Sequence, residues 1–161
     1  MLTRRQTLIG AATLPVLSAI GGLPDATKEA LESSRLIYLT PLKSDGTESA
    51  CKGEVWFSYD GDMGIHVVTQ YGAWRANAIR KGMNSARIWV GEYGVWTSAG
   101  DSFRQGPELM ISGVFETDPE IQRGVLNRMG GKYSDEWGVW GPRFKNGLAD
   151  NSRVMMRYTI G

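Results

Sequence analysis

A chain of 161 residues is of single-domain size and long enough to enclose a real core. Its 18 Lys and Arg against 17 Asp and Glu leave a formal net charge of +1, which argues against general nucleic-acid binding, because that needs a basic face. One cysteine, Cys51, excludes an internal disulfide, and one Cys with one His is too few ligands for a zinc site.

The first residues carry a paired Arg4-Arg5 followed by a mildly apolar run with no acid. Thr and Gly interrupt that run and Pro15 breaks it, so it makes a poor membrane span. Thr3-Arg4-Arg5-Gln6-Thr7-Leu8-Ile9 resembles a twin-arginine export signal, departing at Thr7, where a large apolar residue is usual. The alternative is a general secretory signal with incidental arginines. Cleavage after Ala19 is disfavoured by Leu17, so persistence of the leader as an anchor stays open. The expected organisation is a leader over residues 1–22 and one domain over 23–161. Removing the leader takes away two arginines and no acid, which changes the net charge from +1 to −1.

From Pro24 to Ser34 the chain is a polar lead-in with room for a helical turn or two around Lys28 to Leu31. Arg35 to Thr40 predicts a strand, and Lys43 to Thr47 a hairpin turn around Asp45-Gly46. Ser49 to Tyr59 predicts a second strand, with Val55, Phe57 and Tyr59 on one side and Glu54, Trp56 and Ser58 on the other. Cys51 shares parity with Val55 and Phe57, which predicts a buried structural thiol. Asp60-Gly61-Asp62 is a second turn; the ligand series a calcium loop requires is missing.

Ile65 to Val90 reads as a strand, a glycine-bearing turn, a short basic helix from Trp74 to Lys81, and another strand. Ile65, Val67 and Thr69 alternate with His66 and Val68. Arg80 and Lys81 lie at the helix C-terminus, where cations belong; Arg75 lies at the positive N-terminal end. No Ser, Thr, Asp or Asn directly precedes Trp74 to cap the free N–H groups. A bound phosphate would resolve both oddities; the alternative is hydrated N–H groups and an Arg75 that points into solvent.

Gly91 to Gly106 predicts a short strand and an exposed loop, and Glu108 to Glu116 a strand. A helix then starts either at a Thr117–Glu120 capping box or one residue later, with Asp118 before Pro119. Ile121, Val125, Leu126 and Met129 give it an apolar stripe, and Gly130-Gly131 are expected to end it. Trp137 to Phe144 is an aromatic segment punctuated by Gly and Pro, and Arg153 to Ile160 predicts the last strand. Strands joined by hairpins, with two helices inserted, predict a mainly β (α+β) barrel of antiparallel strands with peripheral helices.

The succession RLIYLT, SDGT, EVWFSYDGD, IHVVT, WRANAIRKGMNSARIWV and ISGVFETDPE resembles the pyridoxamine 5′-phosphate oxidase-like superfamily, from about Leu36 to Gly130. The resemblance implies a split β-barrel that binds FMN or a deazaflavin, as a homodimer with the cofactor at the subunit interface. It also implies Thr69 near the cofactor phosphate, Arg75 as the phosphate-binding cation, and Arg80 and Lys81 as the basic pair that follows. Val67 and Val68 match the strand beside the ring, and Glu54, Val55 and Trp56 its other edge. Trp140 and Arg143 loosely match a C-terminal Trp and Arg, so Trp56 or Trp140 is expected near the substrate face. Ala73-Trp74 stands where members have a Ser before the basic residue, which leaves fewer phosphate donors. Trp74 is expected to anchor its helix in the core, with stacking on a ring as the alternative.

No Ser-His-Asp system is visible, and His66 is expected to be structural. A missing protein nucleophile does not count against an enzyme when the cofactor supplies the chemistry. The leading expectation is an exported flavin- or deazaflavin-dependent oxidoreductase of a small-molecule substrate, carried out by the twin-arginine translocase to the periplasm or another extracytoplasmic space. That route moves folded proteins, which allows a flavin to be loaded before export. The alternative is a non-catalytic exported module holding haem, flavin or a small apolar ligand.

Overall fold

The computed structural model describes residues 22–61 and 63–161; the expected leader, but for Gly22, and Asp62 lie outside them. Seven strands form one antiparallel sheet: β1 (Ile37–Pro41), β2 (Gly53–Val55), β3 (Ser58–Asp60), β4 (Gly64–Gln70), β5 (Ser85–Val90), β6 (Glu108–Phe115) and β7 (Arg153–Ile160). Their order is β2-β1-β5-β6-β7-β4-β3. The two edges, β2 and β3, are thus consecutive in sequence and separated by Trp56 and Phe57 alone. The three steps from Val55 to Ser58 span at most about 10 Å, so the sheet must curl until its edges nearly meet. This is a split barrel, as the sequence predicts.

The expected single strand over Ser49 to Tyr59 is therefore two short ones, because the chain leaves one edge and joins the other at Trp56-Phe57. The parity survives the break: Val55, Phe57 and Tyr59 pack into the barrel core with Ile37, Leu39, Ile65, Val67 and Ile88, whereas Trp56 packs outside with Tyr133 and Phe144. Cys51 falls before β2 and is only half-buried, so the buried strand position expected for it is corrected.

Five α-helices are present among the described residues: α1 (Asp25–Ser33), α2 (Trp74–Arg80), α3 (Trp96–Ala99), α4 (Pro119–Lys132) and α5 (Trp137–Asp150). The strand and loop expected over Gly91 to Gly106 are replaced by α3 and a 3-10 turn, Ser102–Gln105, which lays Phe103 against Tyr38 and Trp89. Asp118 caps α4, its carboxylate accepting from the Glu120 N–H at 2.8 Å, with Pro119 in the first turn; of the two expected starts, the later one forms.

Gly130-Gly131 do not end α4, and the punctuated segment after Trp137 is a helix. Both departures have one cause. A Cβ on Gly130 would lie 2.9 Å from the Trp137 indole nitrogen, and one on Gly141 would lie 2.7 Å from it. The glycines make room for Trp137 between α4 and α5, and the packing overrides their low helix propensity. Pro142 sits inside α5 as well.

Candidate functional site

Arg75, the second residue of α2, turns inward rather than into solvent. Its Nη1 donates to Thr69 Oγ1 at 3.0 Å, at the end of β4. Its Nη2 passes β2 so closely that a Cβ on Gly53 would stand 3.1 Å away. Its Nε is buried and has no partner among the described residues. The guanidinium is thus held by strand and helix with donor capacity left over.

Arg75 and Thr69 open on a cleft of about 430 Å³ at the seam where β2 passes to β3. Val55, Trp56, Val68 and Ala73 line it, with Trp140 and Phe144 of α5, Glu136 at its N-cap and Arg153 of β7. Trp56 stacks on Tyr133 at 4.2 Å between ring centroids, and Trp140 meets Trp56 edge-on at 6.1 Å. The Arg153 guanidinium lies 5.4 Å over the Phe144 ring. α2 is seven residues long, and its N-cap, Ala73, offers no side-chain hydrogen bond.

Of the expected site residues, the structure brings Thr69, Arg75, Val68, Trp56 and Trp140 to this one cleft. The others lie elsewhere. Val67 is wholly buried inside the barrel, because alternation along β4 turns it away from Val68. Arg80 stacks 3.7 Å over the Tyr71 ring and donates to the Tyr71 carbonyl at 2.7 Å, beside a different concavity. Lys81 is the exposed C-cap of α2 and lines neither. Glu54 accepts from the Trp96 N–H at 3.1 Å, and Arg143 lies 4.9 Å over the Trp140 ring. Trp74 is 43% exposed, so the buried anchor expected of it is corrected.

Sequence reasoning missed four contributors: Gly53, Phe144, Arg153 and Tyr133. Phe144 had a usable signal, since Trp137, Trp140, Phe144 and Leu148 recur at helical spacing through the Gly and Pro punctuation. The role of Tyr133 depends on long-range contact. Its hydroxyl accepts from the Phe57 N–H at 2.9 Å and donates to the Arg35 carbonyl at 2.8 Å, and burial pushes its acidity down. Lys132 beside it donates to the Phe57 carbonyl and lies 3.4 Å over the Phe57 ring; burial pulls its pKa down to about 8.

The chemistry of the cleft fits a flat aromatic group carrying an anion: it combines stacked and edge-on rings with two guanidinium groups and a hydroxyl, and its one carboxylate, Glu136, is paired with Arg35. The unpartnered Nε of Arg75 is the strongest sign of fit, since a buried donor normally finds an acceptor. FMN and deazaflavins belong to that class. His66, by contrast, lies in β4 between Ser58 and Arg157, wholly buried, with both ring nitrogens unpartnered. Burial pushes its pKa down, and it lines neither cleft. No group of acids, His or Cys able to hold a metal occurs among the described residues.

The sequence matches no known family profile and no curated protein. Solved structures do match. The haem storage protein HutZ of Vibrio cholerae shares 15% identity over 83% of this chain and 87% of its own, with a TM-score of 0.58. An F420 reductase shares 17% over 86% of this chain and 96% of its own, with a TM-score of 0.54. ChuZ of Campylobacter jejuni shares 13% over 83% of this chain, with a TM-score of 0.57, and this chain spans only half of ChuZ. What the chain has in common with these proteins is the split-barrel fold.

Proposed function

We propose that this chain is an exported flavin- or deazaflavin-dependent oxidoreductase acting on a small molecule, with FMN or a deazaflavin in the seam cleft. The observation that carries the reading is the inward guanidinium of Arg75, bonded to Thr69 and left with a buried, unpartnered Nε beside an aromatic wall. Arg75 and Thr69 hold the phosphate, Val68 lies beside the ring, and Trp56 and Trp140 close the substrate side. The bound cofactor supplies hydride or electron transfer, and the protein binds, orients and excludes water. Export by the twin-arginine route and assembly as a homodimer belong to the same proposal; the Thr3–Ile9 pattern and the family resemblance support them.

A second reading is a module that binds haem or an apolar ligand without catalysis. The fold likeness to a haem storage protein favours it. His66 would not be the iron ligand, because its imidazole is enclosed in the core. The absorption spectrum of natively expressed, full-length protein separates the two: flavin gives a yellow protein, haem gives a Soret band. A colourless protein that takes up neither FMN nor a deazaflavin in a fluorescence titration overturns the flavin reading.

A further inference from the structure

A second, larger concavity of about 1280 Å³ lies between α4, α5 and the β6–β7 strands. Phe115, Leu126, Trp137, Leu148 and Met155 make its walls apolar. Its charges are one-sided. Four cations reach it, and only Arg123 is neutralised, by Glu120 at 2.6 Å. Arg80 is fixed over Tyr71 with no acid beside it, and Lys145 and Arg153 have neither an ion pair nor a side-chain hydrogen bond among the described residues. Glu116 is the one carboxylate in the lining; it is 7% exposed, 3.7 Å from Arg157, and already accepts the Asp118 N–H.

An apolar cleft with three unneutralised cations is complementary to a molecule with an apolar body and an anionic group. We propose that this cleft is a second ligand site, for an amphipathic organic anion whose hydrophobic part lies against Phe115, Leu126 and Trp137 and whose anionic group meets Lys145 and Arg153. Arg153 is well placed for the role. Its stem lies along α5 so closely that a Cβ on Gly147 would stand 2.6 Å from its Cδ, which holds the guanidinium where both clefts reach it. Lys145 and the apolar wall belong to this cleft alone, so the inference does not require a flavin in the seam cleft, although the Arg153 guanidinium is common to both.

The test titrates the full chain with anilinonaphthalene sulfonate and with its uncharged relative N-phenylnaphthylamine, following fluorescence. The expected result is saturable binding of the sulfonate, weakened about 10-fold or more by Lys145→Glu, the scale of one charge-assisted contact. The neutral probe is expected to be indifferent to that change. Ala149→Trp, which fills the cleft from an exposed position, is expected to weaken both probes. Arg75→Ala, in the seam cleft, is expected to leave sulfonate binding unchanged. Sulfonate binding that ignores Lys145→Glu and Ala149→Trp, or that is lost in Arg75→Ala, overturns the proposal.

Discussion

The hydroxyl of Tyr133 accepts the Phe57 amide proton at 2.9 Å, tying α4's C-cap to the two residues that close the barrel. Trp56, the neighbour of Phe57, is stacked on the same ring. One buried side chain therefore fixes both the closure and an aromatic wall of the cleft. Tyr133→Phe keeps the stack but strands the Phe57 N–H and the Arg35 carbonyl. Chemical denaturation is expected to show a loss of about 1–3 kcal/mol, the usual cost of an unsatisfied buried group.

Arg75→Ala removes the guanidinium that Thr69 orients. Charge-assisted hydrogen bonds contribute about 1.5–3 kcal/mol, so FMN or deazaflavin affinity is expected to fall roughly 10- to 100-fold. Lys81→Ala, on the exposed end of α2, is expected to leave the affinity within about twofold if direct contact is what counts. Titration of both variants by fluorescence quenching separates a contact residue from a bystander.

Gly141 reverses the usual rule for helices. Gly→Ala inside a helix ordinarily gains about 1 kcal/mol. Here the added methyl would stand 2.7 Å from the Trp137 indole nitrogen, which is itself held against Gly130. Gly141→Ala is expected to cost about 1–3 kcal/mol by overpacking. Gly138→Ala, where nothing lies within 4 Å of the new methyl, is expected to stabilise. Thermal melts of the pair give opposite signs.

These glycines also mark where sequence reasoning stops. Alternation and turn chemistry located every long strand, because residue parity and Asp-Gly turns are local signals. The helical spacing of Trp137, Trp140, Phe144 and Leu148 was present but outweighed by three Gly and a Pro, of which Gly141 makes room for Trp137 and Gly147 for the Arg153 stem. The site was half legible for a similar reason. Thr69 and Arg75 are six residues apart and joined by one turn, whereas Arg153 reaches the cleft, and Tyr133 backs its Trp56 wall, through packing that no local pattern encodes.

His66 predicts a pH dependence. Burial is the main cause of its lowered pKa; Arg128 and Arg157 add to it, while Glu116 and Asp60 oppose it. The unfolded chain takes up a proton near pH 6.5 that the folded chain refuses. The stabilising contribution is complete above about pH 6.5 and is lost as the pH falls towards the folded pKa, with a slope of up to about 1.4 kcal/mol per pH unit. Urea denaturation between pH 7 and 5 checks this, and His66→Met is expected to flatten that part of the profile.

β2 and β3 are three residues each and paired on one side only. Such short edges are the first part of a sheet to exchange their amides with solvent. Val55 of β2 and Trp56 of the two-residue link line the seam cleft, so that wall is tied to the closure. A ligand lodged against Trp56 would work as a clasp, and its binding is expected to slow amide exchange at Phe57.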